Sequence, residues 1–137
     1  MILFLFLDGQ VIDDLHYVVV PVIDNAKCIR PYTPYDSKLV TSNMVCAGKP
    51  EGGFDSCQGD GGGPLVVPDS SNDDLAVVIG LTSWGYGCAR PNSPGVYTRI
   101  TPFVGWIRGY MKGMTFLESD HILKFGKLFP IFDQMRS

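Results

Sequence analysis

"DSCQGDGGGPLVV", Asp55 to Val67, decides how this chain is read. Three consecutive glycines, Gly61 to Gly63, follow an aspartate and are followed by a proline. Glycine gains least from regular structure and lets another backbone come close, so the stretch reads as an active-site loop and not as an element. A phosphate-binding loop is the obvious rival, and it fails. Gly-x-Gly-x-x-Gly needs glycine where Pro64 stands, and no Lys-Ser/Thr pair follows. No helix opens after the loop to offer its N-terminus to phosphate.

Outward from the loop, the chain is a series of short β-branched runs. "PLVV" (Pro64–Val67) and "LAVVIGLTSWG" (Leu75–Gly85) make a hairpin across the acidic stretch Pro68–Leu75, which reads as a solvated loop. Upstream, a strand is expected near Met44–Ala47 and another over His16–Ile23, where Pro21 marks an edge or a bulge. Asp24 or Asn25 caps a short helical turn that carries Cys28. Downstream, Gly95–Ile100 alternates as a strand. Thr101 is then placed to cap a helix with Pro102 at its first position. Phe103, Trp106, Ile107 and Tyr110 recur at helical spacing, so they are expected to be the buried stripe. The remainder divides into an atypical N-terminal segment, 1–11, a main domain, 12–113, and a tail, 114–137, with one weak amphipathic helix expected near Phe116–Phe125.

Composition supports the same picture. The 137 residues suit one domain. Sixteen glycines and ten prolines punctuate the chain with the rhythm of an all-β sandwich or barrel. Eleven basic against fourteen acidic residues give a net charge of −3, of the wrong sign for a nucleic-acid binder. The opening "MILFLFL" has seven apolar residues, too few to span a bilayer. It has neither a basic flank nor a small-residue cleavage site, so it reads as a strand or a misplaced start. Cys28, Cys46, Cys57 and Cys88 suggest two disulfides and an oxidising compartment, with three pairings open. Zinc is disfavoured, because no Cys-x-x-Cys pair occurs and His16 and His121 lie far from every cysteine. No metal, cofactor, nucleic acid or membrane is expected.

"VCAGKPEGGFDSCQGDGGGPLVV" (Val45–Val67) and "IGLTSWGYGCARPNSPGVYTRITPFVGWI" (Ile79–Ile107) together resemble the C-terminal half of a trypsin-like serine protease, of peptidase family S1. The resemblance runs from about Ile12 to Met111. Its Gly-Asp-Ser-Gly-Gly-Pro motif is matched at Gly59, Asp60, Gly62, Gly63 and Pro64, with Gly61 in place of the serine. The resemblance implies an all-β fold, the second of two six-stranded β-barrels followed by a C-terminal helix. It also implies the pairs Cys28–Cys46 and Cys57–Cys88. Each of those loops is worth on the order of 3 kcal/mol by chain entropy.

The resemblance further assigns roles. Asp55 would sit at the base of a specificity pocket walled by Gly85, Gly87 and Gly95, drawing in arginine or lysine. Ser83, Trp84 and Gly85 would hold an extended peptide by strand addition. The amides of Gly59 and Gly61 would form an oxyanion hole. Asp60 would be the carboxylate that pairs with a new N-terminus on activation. With no such amine in view, it is expected to turn to solvent or take a proton, leaving the oxyanion loop zymogen-like or disordered.

No catalytic residue is intact in this reading. The nucleophile is missing at Gly61, and neither His16 nor His121 has the setting of the family's general base. "DDLAVV" (Asp73–Val78) receives no role. The implied function is thus that of an extracellular serine endopeptidase acting after Arg or Lys, inactive as it stands. The alternatives are a non-catalytic homologue that binds basic peptides or a protein partner, and a partial or mis-spliced sequence of an active secreted protease. A partner is expected on the face that a first barrel would cover.

Overall fold

Period-two alternation on two paired strands sets the core. In the computed structural model, which describes residues 2–4, 17–29, 40–69, 76–111 and 124–125, the strand Met44–Ala47 pairs antiparallel with Gly95–Arg99, Val45 facing Tyr97 and Cys46 facing Val96. Successive side chains point to opposite faces of a strand. Val45, Ala47 and Tyr97 accordingly join Val18, Val20 and Leu65 in one buried cluster. Cys46 and Val96 join Cys28 and Val40 in a second cluster behind the sheet, with Trp84 packed against it. Both faces are covered, which is why these strands read as near-continuous apolar runs. Full burial of each Val or Leu contributes roughly 1.5–3 kcal/mol.

Among the described residues, eight strands form one antiparallel sheet. In chain order they are β1 (Ile2–Phe4), β2 (Tyr17–Val19), β3 (Val22–Ile23), β4 (Met44–Ala47), β5 (Pro64–Pro68), β6 (Ala76–Trp84), β7 (Gly95–Arg99) and β8 (Lys124–Phe125). The order across the sheet is β2-β1-β5-β6-β7-β4-β3, and β8 pairs with the start of β6. This mostly-β architecture with a short C-terminal helix fits the expected barrel half, in a sheet that is not closed: among the described residues no ladder joins the edge strands β2 and β3. Pro21, which has no N–H to donate, lies between β2 and β3 within the expected His16–Ile23 strand. The two edges are nonetheless consecutive in the chain, so covalent continuity through Val20 and Pro21 stands in for the missing ladder. The Pro21 carbonyl accepts from the Gly48 amide at 3.1 Å.

Local signals place the helical pieces. Asp24 accepts a hydrogen bond from the Ala26 amide at 2.9 Å and caps α1 (Asn25–Cys28). Arg99 ties this turn to the sheet: its Nε donates to the carbonyls of Ser42 (3.1 Å) and Met44 (3.0 Å), and its Nη2 donates to Asn25 Oδ1 (3.3 Å).

At the other end the expected cap is corrected. Thr101 makes no capping bond. It lies inside a 3₁₀ turn, Thr101–Phe103, that precedes α2 (Val104–Tyr110). Three residues per turn in that stretch shift the phase of the apolar pattern. The inward face becomes Val104 and Ile107, packed with Ile100, Val78 and Leu81. Phe103 is half-buried. Trp106 and Tyr110, 65% and 77% exposed, lean on one another with ring centroids 5.0 Å apart, so the expected buried stripe is only partly buried. In the tail, Lys124–Phe125 is a strand where the end of a helix was expected; residues 112–123 lie outside the described residues.

The disulfides are Cys28–Cys46 and Cys57–Cys88, with Cα–Cα distances of 6.2 and 5.3 Å. No cysteine is free. No described helix is long and apolar enough to cross a membrane.

Candidate functional site

Two loops, one before β5 and one between β6 and β7, are stitched together beside the sheet. The Cys57–Cys88 disulfide links them covalently. The Gly53 amide donates to the Ala89 carbonyl (2.9 Å) and the Asn92 amide to the Pro50 carbonyl (2.9 Å). Gly52 is required here: its φ is +74°, and a β-carbon would run into the Ala89 carbonyl. A bulge in the β6–β7 ladder falls between Thr82 and Trp84, leaving Ser83 as the extra residue. Bulges of this kind re-aim side chains next to binding sites.

Between the loops lies a pocket of about 260 Å³. Asp55, Gly59, Gly61, Ser83, Trp84, Gly85, Gly87 and Gly95 all line it, as do Cys57 and Cys88. The structure thus brings the sequence-chosen pocket residues to one place. Ser56, Gln58 and Thr82 also line it, and sequence reasoning passed over them. Ser56 could have been suspected, as the direct neighbour of Asp55. Tyr97, read only as a strand residue, stands behind the floor: its hydroxyl lies 3.1 Å from Ser56 Oγ.

Asp55 is 7% exposed. Its Oδ1 accepts from the Ser56 amide at 2.9 Å and its Oδ2 from the Ala89 amide at 3.1 Å. Burial pushes its carboxyl above the usual value; the Ala89 and Ser56 amides pull the other way, and the Asp60 charge adds to the rise. Burial also pushes the Tyr97 hydroxyl up to about 12, so it is neutral near pH 7. A carboxylate at the floor of a small cavity, backed by a neutral phenol, favours a cation. The walls are bare where bulk would block it. A β-carbon on Gly85 would meet the Gly87 carbonyl at 3.4 Å and Gly95 Cα at 3.8 Å, so the three glycines adjoin one another.

Of the two states expected for the glycine loop, zymogen-like or disordered, the hydrogen bonds speak against the second. The Gly62 amide donates to the Thr82 carbonyl (2.9 Å), and the Gly63 carbonyl accepts from the Thr82 amide (2.8 Å) and hydroxyl (3.1 Å). The Gly63 amide closes a turn onto the Asp60 carbonyl at 2.8 Å. Among the described residues, the Gly59 and Gly61 amides make no backbone hydrogen bond. At Gly61, no heavy atom lies within 4 Å of where a β-carbon would stand, and φ is outside the left-handed range.

Asp60 does not turn to solvent. It is 5% exposed because the Cys57 amide, three residues earlier, bonds its Oδ2 at 2.7 Å. Its Oδ1 is buried without a hydrogen-bond partner. His16, His121 and Asp73 lie outside the described residues.

Comparison with known proteins agrees with this geometry. The family model described as Trypsin matches residues 6–107. Trypsin-1 of Astacus astacus is 48% identical over 100 residues, covering 73% of this chain and 40% of that protein. The vitellin-degrading protease of Bombyx mori is 44% identical over 110 residues, covering 80% of this chain and 37% of its own. The chain spans well under half the length of these relatives. On the match over most of its length, the chain belongs to the trypsin-like serine protease family.

Proposed function

We propose that this chain holds an arginine or lysine side chain on Asp55 and, with glycine at position 61, does not cleave the peptide that carries it. The buried Asp55 carboxylate at the floor of a glycine-walled pocket carries the reading. A guanidinium or ammonium there gains a charge-assisted hydrogen bond, while a neutral side chain leaves the carboxylate desolvated and unmatched. Ser83 to Gly85 would hold the peptide backbone by strand addition, and the Gly59 and Gly61 amides would receive a carbonyl oxygen.

Hydrolysis needs a nucleophile, and Gly61 stands where the family's serine is expected. Losing that hydroxyl costs roughly 10⁶-fold in turnover, about 8–9 kcal/mol of barrier. The neighbouring hydroxyl cannot substitute. Ser56 Oγ is hydrogen-bonded to Tyr97, whose raised pKa keeps it a neutral phenol and a poor base. Hydrolysis after Arg or Lys is assigned here only to a complete family member with serine at this position. An extracellular setting is supported by the two disulfides.

The test incubates the 137-residue chain with an arginine-containing peptide and its citrulline counterpart, following binding by fluorescence anisotropy and peptide integrity by mass spectrometry. Preferential binding of the arginine peptide, recovered whole, is expected. Cleavage by pure protein, or equal binding of both peptides, contradicts the proposal.

A further inference from the structure

We infer that Arg90 sets a second requirement on the peptide: a basic residue with an acidic side chain two places along the chain binds better than one with neutral neighbours. This rests on the Asp55 reading above and concerns a residue outside the pocket. Arg90 is exposed. Its guanidinium lies over the Tyr86 ring, 5.2 Å from the centroid, and a β-carbon on Gly87 would run into it. Gly87 lines the pocket, and Tyr86 directly follows Gly85 in the chain. A peptide held along Ser83–Gly85 therefore has Tyr86 and Arg90 next to it. Side chains two apart on an extended peptide point to the same side, roughly 6–7 Å from one another. With one of them on Asp55, the next on that side comes to the rim, beside the Arg90 cation.

The cation is held in place. On one side of Arg90, the Ala89 amide donates to Asp55 Oδ2 (3.1 Å) and the Ala89 carbonyl accepts from the Gly53 amide (2.9 Å). On the other, the Asn92 amide donates to the Pro50 carbonyl (2.9 Å). Arg90 to Ser93 form a turn closed by the Ser93 amide on the Arg90 carbonyl (3.2 Å), with Asn92 at φ +55°. Proline second and asparagine third are the residues such a turn favours. The Tyr86 ring steadies the side chain by cation–π attraction. Among the described residues the guanidinium has no carboxylate partner. Its fork of N–H donors matches the two oxygens of one. The chain's net charge is −3, so its overall field disfavours acidic peptides, and a preference for acid neighbours has to come from a local cation. Lys49, over Phe54 at 5.0 Å on the companion loop, is the cation to compare.

Calorimetric titration of the 137-residue chain at low ionic strength tests this with three peptides: arginine with glutamate two places away on both sides, the same peptide with glutamine there, and the glutamate peptide with citrulline for arginine. The glutamate peptide is expected to bind about two- to fivefold tighter than the glutamine one, the range of an exposed ion pair, with the gap closing in high salt and the citrulline peptide weakest. An Arg90→Gln chain is expected to lose the glutamate preference; Arg90→Lys and Lys49→Gln chains are expected to keep it. Equal binding of the glutamate and glutamine peptides, both tighter than citrulline, overturns this inference and leaves the Asp55 reading standing. A preference that survives Arg90→Gln, or disappears with Lys49→Gln, overturns the assignment to Arg90. Equal binding of arginine and citrulline peptides, or no binding by any, overturns both.

Discussion

Gly95 lies against the Asp55 carboxylate: a β-carbon on Gly95 would stand 2.9 Å from Asp55 Oδ1 and 2.9 Å from the Tyr97 hydroxyl. Nothing as large as a methyl group fits there without moving a buried acid or a core tyrosine. Gly95→Ala should therefore destabilise the chain by about 1–3 kcal/mol, the usual cost of overpacking, and weaken cation binding more than it weakens the fold. Urea denaturation beside ligand titration separates the two effects. Unchanged affinity in a stably folded Gly95→Ala chain would speak against the pocket.

Burial raises the Asp55 carboxyl above its ordinary value of 3.8, and the sign of the consequence follows. Folding lets Asp55 keep its proton to higher pH than the unfolded chain does. Its contribution to stability is fully present below the unfolded value and is lost as pH rises through the folded one. The stability of the wild type relative to Asp55→Asn should therefore fall as pH climbs from about 4 toward neutrality. Binding runs the other way: a cation needs the ionised form, so affinity should fade on acidification at a pH above 3.8. Denaturation midpoints and ligand titrations over that range check both slopes.

Gly61 and Gly62 are adjacent, exposed glycines with opposite expectations. Gly61 has open space and no left-handed φ, whereas Gly62 has equal space at φ +82°. Gly61→Ala should be neutral or stabilising by about 0.4–1 kcal/mol through the unfolded state. Gly62→Ala should cost about 1–2 kcal/mol for the left-handed backbone. Paired urea melts decide; equal effects would contradict the loop conformation.

The C-terminal helix gives a similar contrast. Val104 is 3% exposed and packed on Ile100, whereas Trp106 is 65% exposed. Val104→Ala should destabilise by about 1–3 kcal/mol, and Trp106→Ala by about 0.5 kcal/mol or less. Thermal melts of the two variants measure the difference.

That helix also shows where the sequence stopped speaking. Helical spacing named Phe103, Trp106, Ile107 and Tyr110, but a 3₁₀ turn at Thr101–Phe103 rotated the pattern, and one-dimensional periodicity does not record that. Strands β4, β5, β6 and β7 were legible because their β-branched runs end at glycine, proline or acidic loops. The β8 pairing with β6 was not, since Phe125 and Ala76 are neighbours only in space. At the site, Asp55 and the wall glycines were legible through a family resemblance. The burial of Asp60 depends on an amide three residues away, and the Ser56–Tyr97 contact joins residues 41 apart; neither leaves a local mark.

The most direct test of the account is an equilibrium titration of the 137-residue chain with a fluorescent benzamidine, alongside a folded Asp55→Asn chain. Saturable binding by the wild type, lost in the variant, is the predicted result. Equal affinity in the two chains, or no binding by a correctly disulfide-bonded wild type, would contradict a cation-holding pocket built on Asp55.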